Sequence, residues 1–158
     1  VGRLFAAAAC ITGLICRASF EGQAAMALEH AIGSAPSDAS YEFPLVLGSG
    51  DGPIVIDWVP AIRKMLSDVK REMPVAYIAS AFHNGLIQAI VDVAIRVGET
   101  RVALTGGCFQ NRYLTENAVN AIRLAGLTPY WHRWLPPNDG GLAAGQAAWA
   151  ARRLEEET

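Results

Sequence analysis

Val102–Arg112 reads VALTGGCFQNR, and the order of residue types in it sets the fold class. Val102, Ala103 and Leu104 form a short apolar run between polar neighbours, the pattern of a buried strand in an α/β sheet. Thr105 leads into Gly106 and Gly107, residues that accept positive φ or let a ligand come close to the backbone. Asn111 stands where a helix can begin, and YLTENAVNAIRLAG follows with helical spacing. A strand, a glycine turn and a helix start, in that order, suit phosphate or nucleotide binding, because the free N–H groups and the positive dipole end of the helix face the turn. Glycine pairs end strands in many folds, so the weight comes from a second glycine-rich turn. Pro136–Gln146, PPNDGGLAAGQ, also opens a helix.

Working outward, Gly98 is the stop signal of a long helix over Val75–Val97 that Pro74 introduces. Its apolar stripe, Ile78, Phe82, Leu86, Ile90 and Val93 or Ala94, predicts burial on more than one side. His83 and Asn84 interrupt the helix on another face, where a single histidine reads as hydrogen-bonded structure rather than as a ligand. VPAIRKMLSDVKRE is an amphipathic helix with solvated Lys64, Lys70 and Arg71. Phe43–Leu47 and Pro53–Trp58 predict a β-hairpin around the turn GSGDG. Phe20–Ile32 predicts a helix with Ala24, Leu28 and Ala31 on one face. The opening LFAAAACITGLIC reads as a buried helix without a start signal. It is too short and glycine-interrupted to span a bilayer, and its form suggests a chain cut on its N-terminal side. Downstream, Gly126 marks the end of the Asn111 helix, and Thr128–Trp131 predicts a short strand. The last helix is expected to reach about Arg153, with a frayed EEET tail.

With 158 residues the chain is long enough for one domain with a core. A net charge of −2 offers no basic footprint for nucleic acid. Apolar residues make up 52% and charged residues 18%, a balance that predicts an apolar face covered by something outside the chain. Cys10, Cys16 and Cys108 lack the spacing of a metal site, which points to reduced thiols in a cytoplasmic protein, read here as small buried hydrophobes.

Four segments, SFEGQAAMALE, IASAFHNGL, LTGGCFQNRYL and PPNDGGLAAGQA, resemble in the same order the C-terminal domain of the hydrogenase-maturation carbamoyltransferases (the HypF type). The resemblance covers nearly the whole chain. It implies an α/β fold, the C-terminal lobe of an actin/sugar-kinase/Hsp70-like ATPase with a sheet flanked by helices. Residues 1–158 would then be a single partial domain. It further implies an enzyme that makes carbamoyl-adenylate from carbamoyl phosphate and ATP and passes the carbamoyl group to a C-terminal cysteine of a partner protein, without nucleic acid or membrane. Another carbamoyl or threonylcarbamoyl transferase of the same fold, or a decayed non-catalytic lobe, is the alternative.

The resemblance also names candidate residues. Gly106, Gly107 and Asn111 are assigned to nucleotide contact, with a helix cap as the other reading of Asn111. Glu21 and Gly22, in the EGQA turn, line the nucleotide pocket in the family; at a helix start Glu21 equally suits the dipole. Asp139 is one ligand of a divalent metal in the family, whose other ligands lie in an earlier segment; alone it is a helix cap. Two positions depart from the pattern. Ala6 replaces the aspartate of GRLFD that would hydrogen-bond the nucleoside sugar, and Phe20 stands where tyrosine is usual.

Overall fold

The centre of the fold is helix α4, Val75–Val97. In the computed structural model, which describes residues 1–47 and 52–156, α4 has the bounds its punctuation predicts. Pro74 is the N-cap, and Gly98 closes the helix at φ +80°. Ile78, Phe82, Leu86 and Ala94 are buried as the stripe requires, and Ile90 is partly covered. By length and composition α4 could also cross a membrane; here 67% of its most apolar window is buried inside the protein.

Against α4 pack α3 (Val59–Lys70) and α5 (Arg112–Leu124), with α1 (Gly2–Ile11) reaching it through Phe5 and α2 (Gln23–His30) packed on α1. Phe5 of α1 meets Phe82 edge-to-face at 5.3 Å, and Phe43 meets Phe82 at 6.0 Å. Leu28, Met65, Leu114 and Ile122 complete a continuous core. Each such side chain contributes roughly 1.5–3 kcal/mol through its removal from water. The loop before the hairpin crosses α4 closely. Asn84 donates to the carbonyls of Ser37 and Ala39, both at 2.8 Å, and Tyr41 N–H donates to Ala81 O at 2.9 Å.

The hairpin forms with shorter strands than predicted, β1 (Leu45–Leu47) and β2 (Ile54–Ile56), antiparallel with Val46 opposite Val55. Its turn lies outside the described residues. β3 (Arg101–Leu104) and β4 (Thr128–Trp131) pair in parallel, with α5 as the crossover that parallel strands require. The prediction of a buried β3 holds only for Leu104: Val102 is half-covered and Ala103 is exposed. Among the described residues β4 is the only strand bonded to β3. One side of β3 therefore opens into an apolar groove of about 440 Å³ lined by Ile56, Ile90, Val93, Val97, Val102 and Phe109.

Other expectations need correction. α1 stops at Ile11, where Thr12 caps it and Gly13 turns the chain at φ +75°. α2 begins only at Gln23, because Gly22 in the left-handed region ends the approach to it. Lys64 is not ordinary surface. Its Nζ lies 2.6 Å from Oδ1 of Asp68, a carboxylate buried in α3 that also accepts from the Tyr41 hydroxyl at 3.1 Å. α6 (Leu142–Glu156) runs past Arg153 as far as Glu156, with Arg152 bonded to Glu156 at 3.0 Å, and buries no residue; the last two residues of the EEET tail lie outside the described residues.

Candidate functional site

The two glycine turns meet. Each follows the carboxyl end of one strand of the parallel pair, the edge at which open α/β sheets bind ligands. Gly106 N–H donates to Pro137 O at 2.7 Å. A Cβ built on Gly107 would lie 3.8 Å from Asn138 Cβ. Thr105 Oγ1 lies 3.3 Å from His132 Nε2, which joins the strand ends again. Gly106 has φ +100° and ψ 158°, a conformation confined in practice to glycine. Gly106→Ala should therefore cost about 1–3 kcal/mol in chemical denaturation, and a variant as stable as the parent would show that the turn relaxes freely.

Asp139 opens a short 3₁₀ turn, Asp139–Gly141, on the exposed side of this junction. The cap expected of it falls to its neighbour instead: Asn138 Oδ1 accepts from Gly140 N–H at 3.1 Å. Among the described residues no group of three or more His, Cys, Asp or Glu gathers to hold a metal ion. One exposed carboxylate does not make a metal site, so the donor set here does not by itself fit the divalent ion that the resemblance implied.

Asn111 is the N-cap of α5 and only 6% exposed. Its Oδ1 accepts from Leu114 N–H at 2.8 Å, and its Nδ2 lies 2.9 Å from His83 Nε2. His83 is fully buried, with Nδ1 2.7 Å from Ala79 O. A carbonyl only accepts, so Nδ1 carries the proton and Nε2 accepts from the Asn111 amide. Burial accordingly pulls the His83 pKa down to about 4. Both ends of the Asn111 amide are thus engaged inside the protein, and the residue positions the start of α5 behind the glycine turn.

The exposed part of that helix start faces a cleft of about 960 Å³ between α2 and α5, lined by Phe20, Gln23, Met26, Glu29, Arg112 and Tyr113 among others. Glu21, which is exposed, and Gly22, at φ +83°, stand between the lining residues Phe20 and Gln23. Glu29 Oε1 accepts from Tyr113 N–H at 2.9 Å, so α2 supplies a second cap to α5 from 84 residues away. The structure thus groups Gly106, Gly107 and Asp139 at one junction, while Glu21 and Gly22 fall in the turn between two residues of the cleft, Phe20 and Gln23, and do not themselves line it. Asn111–Arg112 links the junction to the cleft. The sequence reading missed Arg112 and Gln23 in the cleft, although Arg112 directly follows the capping asparagine. Ala6 is exposed on α1.

These elements define an α/β lobe of the Kae1-like type. The chain belongs to the family described as carbamoyltransferase, Kae1-like domain, second subdomain, whose model matches residues 1–146. It is 41% identical over 146 residues to the carbamoyltransferase HypF of Synechocystis sp., covering 92% of this chain and 18% of that protein. It is 39% identical over 161 residues to HypF of Rhizobium leguminosarum bv. viciae, covering 99% of this chain and 20% of that protein. A crystal structure of full-length HypF in its phosphate- and nucleotide-bound form superposes with a TM-score of 0.87 at 35% identity, covering 98% of this chain and 20% of that one. The chain therefore spans about a fifth of the length of these relatives.

Proposed function

We propose that this chain is the C-terminal lobe of a carbamoyltransferase domain and supplies one wall of its nucleotide site. The observation that carries the reading is the hydrogen-bonded pair of glycine turns at the carboxyl ends of β3 and β4. An adenylate approaches the backbone at Gly106 and Gly107, where no side chain intervenes. Arg112, Gln23 and Glu29 line the neighbouring cleft, with Phe20 as an apolar wall and Glu21 and Gly22 in the turn that leads into Gln23. The HypF structure solved with phosphate and nucleotide supports a nucleotide ligand for this fold.

In this proposal the intact cytoplasmic protein makes carbamoyl-adenylate from carbamoyl phosphate and ATP and passes the carbamoyl group to the C-terminal cysteine thiol of a partner protein in nickel-iron hydrogenase maturation. This chain contributes positioning and stabilisation of charge, and no nucleophile of its own. Asp139 adds one carboxylate at the junction, and any further donors to a divalent ion come from outside the described residues.

The test is carbamoyl-phosphate-dependent ATP turnover in the intact protein, with Asp139→Asn beside it. Turnover is expected in the parent. Asp139→Asn should lower it about 100-fold or more if the charge is needed, with an unchanged melting temperature, since the cap belongs to Asn138. No turnover in the parent would overturn the proposal. Full turnover in the variant would remove Asp139 from it.

A further inference from the structure

Cys10 and Cys16, predicted to be small buried hydrophobes, are both exposed free thiols. They also touch. Cys10 Sγ donates to Cys16 Sγ at 2.8 Å, and Cys16 Sγ reaches Cys10 O at 3.6 Å. The contact is built by the backbone. At the end of α1 the chain folds back on itself, with Thr12 N–H on Ala8 O, Gly13 N–H on Cys10 O, and both Leu14 and Ile15 N–H on Ala9 O, all between 2.9 and 3.2 Å. The Thr12 hydroxyl adds bonds to Ala8 O at 2.8 Å and Ala9 O at 3.1 Å. This bonded reversal delivers Cys16 onto Cys10. Cys108 is half-buried and stands apart, in the glycine turn.

We propose that Cys10 and Cys16 form a reversible dithiol–disulfide site on the turn that carries Ile15, one of the residues lining the larger cleft. Solvent access and an adjacent resolving thiol are the two features that make a cysteine pair redox-responsive. The oxidant is a small-molecule disulfide. The Cys16 thiolate attacks one of its sulfurs; that S–S bond breaks, and the first small thiol leaves and takes up a proton. Cys10 then loses its proton and attacks Cys16 Sγ in the mixed disulfide, expelling the second small thiol. Two S–H bonds are lost from the protein and one S–S bond is formed, while the oxidant is reduced to two thiols. The order follows from the hydrogen bond: Cys10 is the donor to Cys16 Sγ, and that bond raises its pKa.

The test uses the protein equilibrated in graded mixtures of reduced and oxidised glutathione, blocked with an alkylating agent, cut with trypsin and weighed. Arg3 and Arg17 bracket both cysteines, so Leu4–Arg17 is a single peptide. It should pass from doubly alkylated to an unalkylated form about 2 Da lighter than the dithiol, and return with dithiothreitol. In Cys10→Ser, Cys16 should stop at the glutathione mixed disulfide. Both side chains are exposed, so the exchange leaves the fold intact. A parent peptide that stays doubly alkylated in oxidised glutathione, or that carries glutathione on each cysteine without the mass loss, would overturn the proposal.

Discussion

Gly85→Ala should destabilise the chain by about 3 kcal/mol, the upper part of the range for overpacked cores. Helix propensity argues the other way, since alanine in place of glycine inside a helix normally gains about 1 kcal/mol. The structure decides between the two. A Cβ at Gly85 would fall onto the carbonyl oxygen of Tyr41 and lie 2.8 Å from the Phe43 ring. Neither group can retreat cheaply. Tyr41 is tied to Ala81 by its N–H and to Asp68 by its hydroxyl, and Phe43 packs on Phe82. The urea midpoint of the variant should fall with little change in slope. A variant about 1 kcal/mol more stable than the parent would mean that the loop does not cross α4 as closely as described.

The second large effect centres on His83 and Asn111. The unfolded chain binds a proton at His83 near pH 6.5, whereas the folded chain does so only near pH 4. The stabilisation from the neutral ring is therefore complete above about pH 6.5 and is lost as pH falls toward 4. Integrated over that window it amounts to roughly 3 kcal/mol. Protonation would also set an Nε2 proton against the Asn111 amide donors. Turning that amide over would set them against Leu114 N–H. Asn111→Ala removes the α5 cap and leaves Nε2 unsatisfied in the core, for an expected loss of about 2–4 kcal/mol at pH 7.5. A proton-resonance titration of His83 with a midpoint near its ordinary value would contradict this network.

What the sequence made legible was local. Pro74 and Gly98 bracket α4, and Asn111 announces α5, because helix punctuation acts over one turn. The strand–glycine–helix order at Val102–Arg112 carried the fold class for the same reason. What it hid was set by chain reversals and distant partners. The exposure of Cys10 and Cys16 depends on a turn that brings back a residue six positions on. The Lys64–Asp68–Tyr41 cluster joins α3 to a loop 27 residues away, and Glu29 caps α5 from another helix. Asn138 and Asp139 are both good capping residues side by side, and only the geometry of the turn assigns the bond to Asn138. The exposure of Ala103 was equally beyond pattern reading, since periodicity cannot tell how many neighbours a strand has.

The most direct measurement of the central claim, that a nucleotide approaches the backbone at the glycine turn, is calorimetric titration of a non-hydrolysable ATP analogue into the intact protein and its Gly107→Ala variant. The added methyl has room within the fold, since its nearest neighbour would be Asn138 Cβ at 3.8 Å. Its effect is therefore on the approaching ligand. An unchanged melting temperature with affinity weakened at least about tenfold, or roughly 1.4 kcal/mol, is the predicted result. Equal affinities for parent and variant would contradict it.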